Sequence, residues 1–206
     1  MSSELASEVP AGRRQERVEN TRRRIIDSAR SLFGEDGFHR VGLEQVAEQA
    51  GVGRKTIYFQ FGSKLGLLEA LVADMSQKAG VADFVATALG DDDVAQGLRR
   101  FIEGSCSVWE HDADLCRALL TLAAADADAR QIIDRVGAAR LADLRQLAYR
   151  AHRRDLLAHD WTTVRAAEAW WLLSSFENHD VMRRAGKSAR QTSNLLCDLA
   201  VALLKA

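Results

Sequence analysis

A length of 206 residues suits one large domain or two small ones, and 47% apolar against 28% charged residues excludes a disordered or collagen-like chain. The formal net charge of −1 argues, as an average over the whole chain, against a strongly basic nucleic-acid binder. A single proline, Pro10, leaves everything after it free of that helix breaker and points to an all-α protein.

The elements follow in chain order. Residues 1–19 are poor in apolar side chains and mixed in charge, which reads as a flexible tail. Asn20 or Thr21 can cap a first helix, whose apolar face is Ile25, Ile26, Ala29, Leu32 and Phe33, and Gly34 and Gly37 end it. A short second helix carries Leu43, Val46, Ala47 and Ala50. The turn Gly51-Val52-Gly53 follows, then a third short helix from Arg54 to about Gln60. Ser63 can cap a fourth helix through Leu65, Leu68, Leu71, Val72 and Met75. Longer patterns come next. One stripe is Val94, Leu98, Phe101, Ile102, Ser105 and Trp109, entered after Asp91–Asp93; another is Leu115, Leu119 and Leu122. Residues 123–129 read as a helix junction. A long helix then runs from about Ile132 through Leu144, Leu147 and Ala151 to Arg153, and a further one spans Asp160 to Arg184, with Gly186 just past its end. The last opens at the capping box of Ser188 and Gln191 and runs to Lys205.

Two short helices joined by a glycine-containing turn behind a longer first helix form the layout of a helix-turn-helix, whose second helix enters the major groove of DNA. Leu43, Val46, Ala47, Val52 and Ile57 supply its small core, and Arg54, Lys55, Thr56, Tyr58, Phe59 and Gln60 are left to face outward. Cations, a hydroxyl and a phenol at an exposed helix start suit phosphates and base edges, and Lys64 is placed for a backbone phosphate.

The segment from Thr21 to Leu71 closely resembles the DNA-binding domain of the tetracycline-repressor (TetR) family of bacterial transcriptional regulators. The shared marks are Ile25-Ile26-x-x-Ala29-x-x-Leu32-Phe33, Gly37-Phe38, Val46-Ala47-x-x-Ala50-Gly51-Val52, Thr56-Ile57-Tyr58-x-x-Phe61 and Ser63-Lys64. The resemblance implies three domain-level parts: a tail over 1–19, a helix-turn-helix domain over 20–64, and a helical ligand-binding and dimerisation domain over 65–206. It implies DNA contacts from Arg54, Lys55, Thr56, Tyr58, Phe59 and Lys64, with phosphate contacts from Arg22 to Arg24. Gly42 stands where the family usually caps the second helix with Thr or Ser, and Gly53 where it often has Ser, so neither carries a side-chain contact here.

The resemblance further implies a hydrophobic small-molecule inducer held by Phe101, Ser105, Trp109, Leu119, Leu122, Leu144, Trp171, Ser175 and Asn178. It implies a homodimer through the last helices, with Leu195, Leu196, Leu199 and Leu203 at the seam. A twofold dimer reads a palindromic operator through major grooves about 34–36 Å apart, and ligand lowers affinity by favouring a state that no longer fits that spacing. The expected protein is thus a ligand-responsive repressor without catalytic, metal or cofactor sites. Two other readings compete. The pairs His111-Asp112, His159-Asp160 and His179-Asp180 suggest a helical metal-dependent phosphohydrolase, although their spacing matches no ligand motif and no G-x-S-x-G, P-loop or H-E-x-x-H is present. A helical protein-interaction module leaves the Arg54, Lys55 and Tyr58 cluster without a purpose.

No run approaches the roughly 18 apolar residues of a membrane span, and the first 20 residues lack a signal-peptide core, so a cytoplasmic protein with no membrane partner is expected. Cys106, Cys116 and Cys197 form neither an even set nor a C-x-x-C pair and read as small buried hydrophobes. The near-zero charge also hides a division. Residues 20–64 hold eight basic against five acidic side chains, a net +3, and residues 65–206 hold 17 against 20, a net −3.

Overall fold

The computed structural model describes residues 11–205, which fold into α-helices joined by short turns, with no strand among them. The helices are α1 (Ala11–Glu35), α2 (Leu43–Ala50), α3 (Arg54–Phe61), α4 (Lys64–Lys78), α5 (Val81–Gly90), α6 (Val94–His111), α7 (Ala113–Ala125), α8 (Ala127–Arg153), α9 (Thr163–Leu173), α10 (Phe176–Arg184) and α11 (Ala189–Val201). Packing divides the chain into two compact units, one ending at Leu71 and the other starting at Val72. This division falls inside α4, whose Leu67, Leu68 and Leu71 are fully buried.

In the first unit, α1 buries Ile25, Ile26, Ala29 and Phe33, and the Phe33 and Phe38 rings meet edge to face at 4.9 Å. The helix starts at Ala11, not near Asn20, so residues 11–19 are helical where a flexible tail is expected; residues 1–10 of that tail lie outside the described residues. Residues 12–20 are exposed. They extend the helix because Arg13, Arg14, Gln15, Glu16 and Arg17 are good helix formers continuous with an anchored segment, which removes the nucleation cost.

Val46 and Ile57 lock α2 and α3 together, each fully buried, with Leu43, Ala47 and Ala50 beside them. Gly51 closes α2 at φ +63°, and its N–H reaches the Glu48 carbonyl at 3.0 Å. At the start of α4, Ser63 Oγ accepts from the Gly66 N–H at 2.9 Å. A side chain at Gly66 would meet the Phe61 carbonyl oxygen at 2.0 Å, so this glycine sets how closely α4 follows α3.

The second unit is organised on α6, which packs against α5, α8, α10 and α11. Leu98, Phe101, Ile102, Leu144, Leu147, Trp170, Leu196 and Cys197 form one buried cluster. Ala148, Ala151, Ala166 and Ala167 are fully buried on α8 and α9, which lets these two helices lie close. Trp170 is fully buried and donates its Nε1–H to the Ala200 carbonyl at 2.9 Å, tying α9 to α11. Helix α5, absent from the sequence reading, docks Phe84 against Gly104 of α6, where an added Cβ would stand 2.6 Å from the ring. All three cysteines are buried and none is in a disulfide, and burial pushes the Cys106 thiol up to about 12.

Two expected helices are shorter than their patterns. The helix expected from Asp160 to Arg184 breaks at Ser174 and Ser175 into α9 and α10. The last helix ends at Val201, because Leu203 and Lys205 turn their backbones to the α8–α9 linker: the Ala158 N–H donates to Leu203 at 3.0 Å and the Lys205 N–H to Leu156 at 2.6 Å. A single Leu157–Leu204 bridge marks this clip.

Candidate nucleic-acid interface and ligand-binding unit

Helix α3 has eight residues and fully buries Ile57 alone. Its N-terminus is pointed by Gly53, extended at φ −77°, and carries no capping side chain, so its first amides stay open. Arg54, Lys55, Tyr58 and Phe59 are exposed and Thr56 and Gln60 partly so, as the sequence pattern requires. Phe59 is 90% exposed, an extreme value for a large apolar ring.

Arg54 is not idle. It pairs with Glu44 of α2, donates Nη2–H to the Tyr58 hydroxyl at 2.9 Å, and lies 5.3 Å from the Tyr58 ring centroid. The Tyr58 hydrogen bond and the Glu44 charge both favour its charged form. Exposed pairs of this kind contribute little, so a phosphate or base edge can replace Glu44 at small cost. The sequence reading overlooked Glu44, although an acid on the helix preceding a basic recognition helix is visible in it.

Lys64 departs from its expected place. It is half-buried, donates Nζ–H to the Phe38 carbonyl and sits 4.1 Å from the Phe38 ring centroid, and burial lowers its pKa. The apolar wall of Phe33 and Phe38 draws the ammonium inward, away from a free phosphate-facing position. Arg22, Arg23 and Arg24 are all exposed, and Arg22 also lies over the Phe61 ring at 4.6 Å.

In the second unit the nine candidate ligand residues separate into three groups. Phe101 and Leu144 belong to the main core cluster, and Leu119 and Leu122 are buried on α7. Ser105 spends its hydroxyl on the Phe101 carbonyl at 2.9 Å; Ser175 caps α10 by accepting from the Asn178 N–H at 3.4 Å, and Asn178 Nδ2 donates to the Leu172 carbonyl at 2.5 Å. Trp109 and Trp171 come together around Arg140 of α8, whose guanidinium carbon lies 5.5 and 5.8 Å from their ring centroids. Arg140 is the residue the sequence reading missed. Its signal was present: it interrupts the apolar stripe of α8 in register with Leu144, Leu147 and Ala151.

Leu196, expected at the seam, is instead buried in the core of its own unit, against α6. Leu195 and Leu203 are half-buried, and Leu199 is 47% exposed. Val164 and Leu172 on the neighbouring α9 are also exposed.

Among the described residues no group of three or more His, Cys, Asp or Glu could hold a metal ion. His179 and Asp180 instead join a charge network linking α10 to α6 and α7. Arg183 grips Glu110 with two bonds of 2.9 Å, Arg117 grips Asp180 at 2.7 and 3.0 Å, and Arg184 reaches Asp180 at 3.0 Å. Among the described residues no helix is long and apolar enough to cross a membrane.

Residues 25–71 match the family model described as bacterial regulatory proteins, tetR family. The HTH-type transcriptional regulator SrpR of Pseudomonas putida is 43% identical over 56 residues, which is 27% of this chain and 26% of SrpR. The HTH-type transcriptional activator FasR of Mycolicibacterium smegmatis is 32% identical over 110 residues, 50% of this chain and 49% of FasR. The matches thus span less than half the length of these curated relatives. In fold, the chain is similar to the transcriptional regulator FadR of Bacillus subtilis, solved in complex with stearoyl-CoA, with a TM-score of 0.73 and 22% identity over 88% of this chain and 98% of that one. With the helix-turn-helix in place over the matched residues, residues 25–71 of this chain form a DNA-binding domain of the tetR family of bacterial regulatory proteins, and the helices beyond them share the fold of FadR.

Proposed function

We propose that this chain is a DNA-binding transcriptional repressor that acts as a homodimer on a palindromic operator and is released by an apolar small molecule. The division of labour follows the domains read from the sequence, 20–64 for DNA and 65–206 for ligand and dimerisation. One observation carries the reading: α3 buries Ile57 and leaves Arg54, Lys55, Tyr58 and Phe59 outside the core of the domain. Arg54 and Lys55 would take guanine edges or phosphates, Thr56 and Phe59 thymine methyl groups, and Tyr58 a phosphate oxygen. Lys64 contributes by turning out from Phe38 when DNA is present.

Support for a ligand comes from the aromatic residues around Arg140 and from a relative in fold that is solved with stearoyl-CoA. Support for the dimer comes from exposed Leu199, Val164 and Leu172 on neighbouring helices of a domain whose other large apolar residues are mostly inside. A gel shift and footprint on the DNA flanking the protein's own coding region, repeated with apolar compounds, tests the whole reading. The expected result is a twofold-symmetric footprint that one compound abolishes; absence of sequence-specific binding rejects it. Because FasR is named an activator, a reporter fused to the same DNA decides the sense of regulation.

A further inference from the structure

At the edge of the apolar core, the second unit holds a part-buried guanidinium that its surroundings do not account for. Arg140 stands on the inward stripe of α8, between Gly137 and Leu144, at a register that neighbouring turns fill with Leu or Ala. A guanidinium carries five N–H donors. Here Nη1 donates to the Ser174 carbonyl at 3.2 Å, Nε is buried without a partner, and no carboxylate pairs with the group among the described residues. The bond to Ser174 engages one of the five donors, on a carbonyl that also accepts from Trp109 Nε1 at 2.9 Å. A part-buried guanidinium with a buried N–H left unpartnered and no paired carboxylate is costly, and natural structures keep one where something else compensates it.

The surroundings are built and held. Trp109 is fixed by Ser174 and by the edge of the Phe176 ring at 6.0 Å, and Trp171 by its Nε1–H on the Gly137 carbonyl at 3.0 Å. Two indoles therefore flank the guanidinium, and its remaining N–H donors are left for a partner. Arginines of α7 and α10 do not compete for that partner, because Arg117, Arg183 and Arg184 are matched to Asp180 and Glu110. A single unmatched cation suits a monoanion, and a planar fork between flat rings suits a planar one. Burial lowers the Arg140 pKa to about 10, with Glu177 acting the other way, so the group stays charged at neutral pH.

We propose that Arg140 anchors the ligand of this unit, and that the ligand is an amphipathic carboxylate whose head group pairs with the guanidinium between Trp109 and Trp171 while its apolar part lies along the core. This rests on the reading of the second unit as ligand-binding and names the ligand's chemistry. Ligand binding then supplies the counter-charge that the free protein lacks, which gives the bound state a differential stabilisation capable of shifting a conformational equilibrium.

The test titrates the full chain, followed by tryptophan fluorescence, with a series of straight-chain and arylalkyl carboxylates, each beside its methyl ester. The expected result is at least one acid that binds about tenfold or more tightly than its ester. Arg140→Gln is expected to bring that acid down to the ester's affinity. Thermal melting checks that the variant is folded, and Arg140→Met, which preserves the length of the stem, repeats the test if the Gln variant melts early. Esters that bind as well as their acids overturn the carboxylate assignment and leave an apolar pocket standing. An acid preference that survives in a folded Arg140 variant overturns the anchor. Failure of every pair to bind overturns both this inference and the ligand-responsive reading.

Discussion

Phe59 and Lys64 lie five positions apart and illustrate opposite fates of side chains on one small domain. The Phe59 ring is held out in water because its neighbour Ile57 takes the inward position on α3, and eight residues offer no second face for burial. Lys64 is drawn in because its stem and ammonium can lie on the Phe33 and Phe38 rings and still reach a carbonyl. For the exposed group, Arg54→Ala or Tyr58→Ala is expected to weaken operator binding by about 1–3 kcal/mol. Fluorescence anisotropy measures the loss, and an unchanged melting curve shows that the fold is intact. His179 gives a pH test. It is 2% exposed, its Nε2 lies 3.4 Å from Glu110 without hydrogen-bond geometry, and burial lowers its pKa below the usual value of 6.5. Protons then bind the unfolded chain more readily than the folded one, so its contribution is fully present above pH 6.5 and is lost as pH falls through the folded value. Denaturation midpoints are expected to drop between pH 7 and 5, and a folded His179→Gln variant should show a shallower drop.

Helix ends are the features that a linear pattern represents worst. Residues 160–184 carry helical periodicity throughout, yet the chain breaks after Leu173. Buried Ser174 gives its carbonyl to Trp109 and Arg140, and Ser175 and Asn178 supply the new cap. Those partners come from α6 and α8, more than 30 residues away, so no local signal announces them. Ser175→Ala is expected to cost about 0.5–2 kcal/mol, the ordinary value of a lost helix cap, measurable by chemical denaturation. If the variant is as stable as the parent, tertiary donors alone hold the break. Helix α5 was missed for a related reason. Among its ten residues only Ala88 is fully buried, and Phe84 and Val85 are half-buried against α6, so its sequence shows no continuous apolar stripe. Caps with local chemistry were legible: Asp93 before α6 accepts from Ala95 and Gln96, and Ser188 with Gln191 opens α11.

Across the whole molecule, opposite charges belong to separate parts, with +3 over residues 20–64 and −3 over residues 65–206. A weakly basic head favours a polyanion while the acidic remainder limits unspecific adhesion, so operator affinity should fall steeply with salt. Dimerisation is proposed through exposed residues of α9 and α11. Leu172→Glu with Leu199→Glu is expected to convert the dimer to folded monomers in sedimentation and to weaken operator binding with it. A double variant that remains dimeric places the seam elsewhere.

Much of this protein is determined by local chemistry along the chain. The absence of proline after Pro10, the turn of Gly51 to Gly53 and the single inward position on α3 are enough to specify helices, a helix-turn-helix and its outward residues, because each depends on neighbours within a few positions. Only the tertiary structure decided which apolar residues meet which. Leu196 and Leu199 belong to one helical stripe, yet packing against α6 buries the first and leaves the second outside. Arg140 shares the register of leucines, and only folding reveals that it ends between two tryptophans without a counter-ion. Periodicity defines a face, whereas the free energy of burying that face depends on partners brought from distant parts of the chain.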